Sequence, residues 1–147
     1  MSTSPERILV GVDGSAWSRT ALREGARIAT ALEAPLEAVT CWDVAPVYAG
    51  YGTYDSEFFR AQAQRVLDGA VADVFGDDPP AGLTRTLLRG HPREQLVEAS
   101  RGAQMLVVGR RGTGGFGALL LGSVSSACLV HAHCPVLVVR EDVPVRV

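Results

Sequence analysis

Along this chain, short uninterrupted apolar runs alternate with longer stretches in which apolar residues recur every three or four positions. Arg7-Ile8-Leu9-Val10-Gly11-Val12 has the pattern of a strand buried on both faces. Asp13-Gly14-Ser15 interrupts it, and Ser15 is placed to cap a helix. From Ala16 to Leu32, residues Ala21, Leu22, Ala26, Ala29 and Leu32 recur at helical spacing. Leu36 to Trp42 is a second strand. Asp43 to Ser56 carries Pro46, Tyr48, Tyr51 and Tyr54 and reads as an irregular loop, either a lid over a ligand or a cover for the sheet edge. A helix over Glu57 to Phe75 gathers Phe58, Phe59, Val66, Leu67, Val71 and Val74 near one face. Gly76 to Gly82 is a break. Leu83 to Arg89 is a third strand, alternating enough to lie near an edge. Pro92 to Ser100 is a helix with proline in its favoured first turn, and His91 reads as the loop residue before it. Met105 to Val108 is a fourth apolar strand, Gly109 to Gly122 a glycine-rich loop, Ser123 to Ala132 a short helix capped by Ser123, and Val136 to Val139 the last strand.

Strands alternating with helices in this rhythm predict an α/β domain built on a parallel sheet. Ligands of such sheets sit beyond the carboxyl ends of the strands, where the strand order reverses. The first strand runs into Asp13 and the fourth into Gly109. If the two are neighbours, Asp13 and the glycine loop face one crevice.

Length, composition and charge narrow the function. At 147 residues the chain is long enough for one domain, 1–147, with its own core. A composition of 47% hydrophobic and 20% charged residues is that of an ordinary globular protein. The net charge of −2 gives no reason to expect nucleic acid or an anionic membrane. No apolar run approaches the ~18 residues of a membrane span, and polar Met1 to Arg7 holds no signal-peptide core, so a cytoplasmic location is expected. Cys41, Cys128 and Cys134 follow no paired spacing and read as reduced, mostly buried small hydrophobes. His131, His133 and Cys134 are wrongly spaced for metal ligands on one helical face, and the histidines fit a helix C-terminus instead. All 14 basic residues are arginine. Without lysine, neither a P-loop nor Schiff-base chemistry is available.

The richest local signal is Val107 to Val124, V-V-G-R-R-G-T-G-G-F-G-A-L-L-L-G-S-V. A strand, a glycine loop and a helix start in that order let backbone N–H groups surround a phosphate. Gly114, Gly115 and Gly117 add flexibility that is easiest to explain if the segment closes over something. By itself, Asp13 before Gly14-Ser15 reads as a turn and cap residue. Together with the glycine loop, a ligand reading overtakes that one.

Gly109-x-x-Gly112, nine residues, then Gly122-Ser123 resembles the nucleotide signature of the universal stress proteins, in their ATP-binding branch. Ile8 to Ser15 resembles that family's opening strand and turn, and His131 to Val139 its closing segment. The resemblance implies a single-domain, doubly wound five-stranded parallel sheet of order 3-2-1-4-5, with helices on both faces. It implies ATP as ligand, with Mg²⁺ held mostly by phosphate oxygens and water. It places Val12 and Asp13 at the adenosine, with the Asp13 carboxylate accepting from a ribose hydroxyl. Cys41 stands where a backbone group meets the adenine, Gly109 at the ribose and Gly112 at the phosphates. Gly122, Ser123, Val124 and Ser125 offer N–H groups and two hydroxyls to the phosphate tail. Arg110 and Arg111 partly replace the missing lysine. The resemblance also implies a homodimer through the last strand, extended by the Val143-Pro144-Val145 tail, since an exposed apolar edge invites pairing.

Binding is better supported than catalysis, because no triad motif is present and no glutamate or histidine lies in the loop as a general base. The expected function is therefore a regulatory or stress-response nucleotide-binding protein with at most slow ATP hydrolysis. An interaction module that binds no nucleotide is one alternative. A dinucleotide enzyme is another, because Gly112-Thr113-Gly114-Gly115-Phe116-Gly117 matches G-x-G-x-x-G. That match follows the fourth strand rather than the first, and its expected acidic partner finds only Glu141 and Asp142.

Overall fold

The computed structural model describes residues 6–44, 56–111 and 121–140. Five parallel strands form one sheet: β1 (Ile8–Gly11), β2 (Leu36–Trp42), β3 (Thr84–Arg89), β4 (Met105–Gly109) and β5 (Val136–Val139). Their order is β3-β2-β1-β4-β5, as the resemblance implied. Helices α1 (Ala16–Ala31), α2 (Ser56–Phe75), α3 (Pro92–Ala99) and α4 (Ser123–His131) make the crossovers. Each expected element is present, with ends moved by a residue at most. Gly109 closes β4, for instance, where the apolar run alone stopped at Val108.

Strand periodicity sorts the core into two layers. Ile8, Val10, Leu36, Ala38 and Val107 point to one face, where Ala21 and Leu22 of α1 and Leu67 and Val71 of α2 cover them. Leu9, Val39, Leu106 and Val108 point to the other, against Leu96 of α3 and Cys128 of α4. Both faces of β1 and β4 are therefore dry, which explains their unbroken apolar sequences. The half-buried residues of β3 fit its place at the sheet edge.

The chain runs outward from β1 through β2 to β3, then returns to add β4 and β5 on the other side of β1. The reversal falls between β1 and β4, whose pairing matches Ile8 with Met105 and Val10 with Val107. Asp13 and Gly109 thus leave adjacent strands at the same end of the sheet, the juxtaposition on which the crevice depended.

Candidate functional site

Beyond the carboxyl ends of these strands lies an open cavity of about 300 Å³. Val12 and Asp13 line it from β1, Cys41 from β2, and Gly109 and Arg111 from β4. Gly122, Ser123, Val124 and Ser125 line it from the start of α4. Of the site residues nominated from the sequence, all are thus brought to one place except Arg110, which turns away, and Gly112, which lies outside the described residues. Gly114, Gly115 and Gly117, the three tyrosines, Glu141, Asp142 and the Val143 tail also lie outside them.

The entry to α1 is a chain of hydrogen bonds. Asp13 Oδ1 accepts from Ser15 N (2.9 Å) and Ser15 Oγ (2.6 Å). Ser15 Oγ accepts from Ser18 N (3.2 Å), the N-cap bond of α1. Asp13 is therefore a turn residue and a wall of the cavity at once.

The start of α4 differs from the sequence expectation. Its N-cap is Gly122, not Ser123, and it has no side-chain cap bond. Ser123 is the first helical residue and is exposed, whereas Ser125 is 2% exposed. The Ser125 hydroxyl lies 2.9 Å from Arg110 O and 3.1 Å from Gly122 O, and its single proton serves these carbonyls. Gly122 N also donates to Arg110 O, at 2.8 Å. The two ends of the glycine loop are joined there. Of the two serine hydroxyls expected to donate outward, the one on Ser125 is already engaged.

Two arginines leave β4 in different directions. Arg111 lines the cavity, while the Arg110 guanidinium stacks on Trp17, 5.2 Å from the ring centroid. Arg110 therefore does not supply the positive charge at the cavity wall that its neighbourhood in sequence suggested. Gly109 has a packing reason as well: a Cβ there would fall 2.6 Å from Trp17 Cβ and 2.8 Å from the Trp17 carbonyl carbon.

Sequence reasoning missed Val39, His91, Pro92 and Leu96, which complete an apolar flank of the cavity. Val39 was accessible from strand alternation, since it shares a face with Cys41. His91 is not a plain loop residue: its Nδ1 accepts from Arg93 N at 3.2 Å and caps α3. All three cysteines are free. Burial, aided by the neighbouring Cys128, pushes the Cys41 thiol up to about 11, so it is a neutral, unreactive wall at ordinary pH. His131 occupies the last turn of α4, as expected, and His133 lies beyond it, its N–H donating to Ser100 Oγ at 2.9 Å. Among the described residues no trio of His, Cys, Asp or Glu could hold a metal ion, and no helix is long and apolar enough to cross a membrane.

Comparisons with known proteins agree with this architecture. The model of the universal stress protein family matches residues 5–140. A universal stress protein of Mycolicibacterium smegmatis is 38% identical over 145 residues, covering 92% of this chain and 48% of that protein. The chain spans about half the length of the curated relatives it matches. The solved structure of the universal stress protein UspA from Lactobacillus plantarum superposes with a TM-score of 0.76 at 24% identity, covering 95% of this chain and 100% of that one, and shares its fold. A universal stress protein solved in complex with cAMP gives 0.68 at 26% identity, covering 95% and 99%. With a family match over nearly its whole length, a relative above one-third identity and the same sheet order, this chain belongs to the universal stress protein family.

Proposed function

We propose that this protein binds an adenine nucleotide, ATP, in the cavity at the β1–β4 boundary and serves a regulatory or stress-response role. The observation that carries this reading is the uncapped N-terminus of α4, which opens on that cavity. A helix leaves its first N–H groups without intrahelical partners. Ser15 and His91 supply the missing acceptor for α1 and α3, and among the described residues no side-chain cap bond supplies it for α4. An anion fits there, favoured by the helix dipole and by Arg111. The related protein solved with cAMP supports an adenine nucleotide as the source of that anion.

In this reading the phosphates meet the N–H groups of Ser123, Val124 and Ser125, the Ser123 hydroxyl and Arg111. Asp13 faces the ribose near Gly109, and Val12 and Cys41 flank the adenosine. Mg²⁺ accompanies the nucleotide on phosphate oxygens and water, because Asp13 is the only carboxylate on the described wall. Hydrolysis is slow at most, since among the described lining residues no group is placed as a general base on the phosphate side. We further propose a cytoplasmic homodimer that pairs through β5. That strand ends the sheet, and Leu129 and Val130 are exposed on α4, the element that precedes it. Light scattering at micromolar concentration checks the dimer, and a monomer there refutes it.

The deciding experiment is mass spectrometry of small molecules released by denaturing the purified protein. Stoichiometric ATP that disappears in Gly122→Val supports the reading. Gly122 has φ −72°, open to any residue, so valine tests the close approach rather than backbone strain. An empty protein that also ignores added ATP in calorimetry refutes it. Released NAD(H) would favour the dinucleotide alternative.

A further inference from the structure

The cavity has two chemically different ends. N–H groups, the Ser123 hydroxyl and Arg111 gather at α4, while Val39, Cys41, Pro92 and Leu96 form an apolar flank between β2 and α3. On that flank His91 is the one described side chain with a strong polar group. Its placement is specified by the chain. Gly90 N donates to Trp42 O (2.8 Å), tying the end of β3 to the end of β2. Gly90 then adopts φ +137°, a conformation open to glycine and strained for other residues. A Cβ on Gly90 would also lie 2.5 Å from Gln95 Nε2. The turn ends β3 and starts α3 with His91 as its cap.

Capping also decides what the imidazole offers. An imidazole nitrogen that accepts a hydrogen bond carries no proton, so the ring proton sits on Nε2. His91 Nδ1 accepts from Arg93 N, which leaves Nε2–H as its only remaining polar group, and that group is a donor. The Glu94 carboxylate, 3.4 Å from the same Nδ1, could accept from it only in a ring protonated at Nδ1, which would give up the bond from Arg93 N and with it the cap of α3. A ligand on this apolar flank therefore has aliphatic and thiol surface beside one imidazole donor. A nucleobase has that complement, with an apolar face and acceptor nitrogens on its edge.

We infer that His91 determines base specificity: its Nε2–H donates to a ring acceptor nitrogen of a purine seated against Val39, Cys41 and Leu96. This rests on the nucleotide reading above and adds to it a residue that reads the base rather than the phosphates. The donor discriminates against rings that present N–H or C–H at the same place.

The test compares wild type with His91→Ser by calorimetry, because serine keeps an N-cap acceptor for α3 and removes the donor. The ligands are ATP, inorganic tripolyphosphate, and deaza-ATP analogues in which one ring nitrogen at a time is replaced by CH. His91→Ser should weaken ATP by roughly five- to tenfold, the worth of one hydrogen bond, and leave tripolyphosphate unchanged. One deaza analogue should bind wild type as weakly as ATP binds the variant, and should not distinguish the two proteins. ATP affinity within twofold of wild type in His91→Ser overturns the inference. So does an equal loss for ATP and tripolyphosphate, or a loss shared evenly by every deaza analogue, which would indicate packing. A wild-type protein that binds no adenine nucleotide brings down the nucleotide reading itself, and this inference with it.

Discussion

The hydroxyl of Ser125 donates to the carbonyl of Arg110 at 2.9 Å, joining the first turn of α4 to the residue that leaves β4. Because Gly122 N reaches the same oxygen, the glycine loop is closed at its base by backbone and side chain together. Two serines that are alike in sequence thereby take different tasks. Ser125→Ala should destabilise the protein by about 1 kcal/mol, the usual net worth of such a bond. Ser123→Ala, at an exposed position, should stay within about 0.5 kcal/mol of wild type yet weaken ATP severalfold. Urea titrations and calorimetry on the pair check this, and a larger stability loss in Ser123→Ala would reverse the assignment.

Gly109 is held by Trp17 whether or not a ligand is present. Its missing Cβ would meet the Trp17 backbone, which cannot rotate away as a side-chain tip could. Gly109→Ala should therefore destabilise the ligand-free protein by about 1–3 kcal/mol, the range for overpacking. A thermal melt in the absence of nucleotide checks it. An unchanged melt would leave ligand approach as the sole reason for glycine here.

Asp13 carries two tasks that a conservative change can separate. Asparagine keeps an oxygen able to accept from Ser15 N, whereas alanine removes the turn bond. Asp13→Ala should lose about 1 kcal/mol of stability and also bind ATP more weakly. Asp13→Asn should melt near wild type and still bind more weakly, because an ionised acceptor makes the stronger hydrogen bond. Equal ATP affinity in wild type and Asp13→Asn would place the carboxylate outside the ligand's reach.

Alkaline pH should weaken the fold through its thiols. Burial, with a contribution from Cys134, pushes Cys128 from 9.0 up to about 11, and Cys41 moves the same way. The folded state thus favours the neutral thiols. Their contribution is fully present below about pH 9 and is lost as pH rises towards about 11. The urea midpoint of wild type should fall through that window, and the fall should be shallower in Cys128→Ala. Parallel curves would assign the alkaline loss to other groups.

Much of the fold was legible in order along the chain. The unbroken apolar runs at Ile8 and Leu106, punctuated by Gly and by Pro92, mark doubly buried strands and helix starts, because burial on both faces removes every polar position. The cavity's position was legible too, since Gly109 ends a strand, Asp13 follows one and Gly122 opens a helix. Other features lay in contacts between elements distant in sequence. Nothing local distinguishes Arg110, stacked on Trp17, from Arg111 at the cavity, because only β4 packed against α1 brings Trp17 within reach.

Sequence by itself thus determined the element order, the sheet class and the group of residues that meet at the carboxyl edge. Those features come from periodicity and from the short reach of turns, which act between near neighbours. Tertiary structure alone decided which hydroxyl is engaged, which arginine faces the cavity, and that His91 belongs to it. Each depends on the carbonyl, ring or N–H group that a side chain meets once the helices pack on the sheet, and hydrogen bonds and stacking act only at that close range.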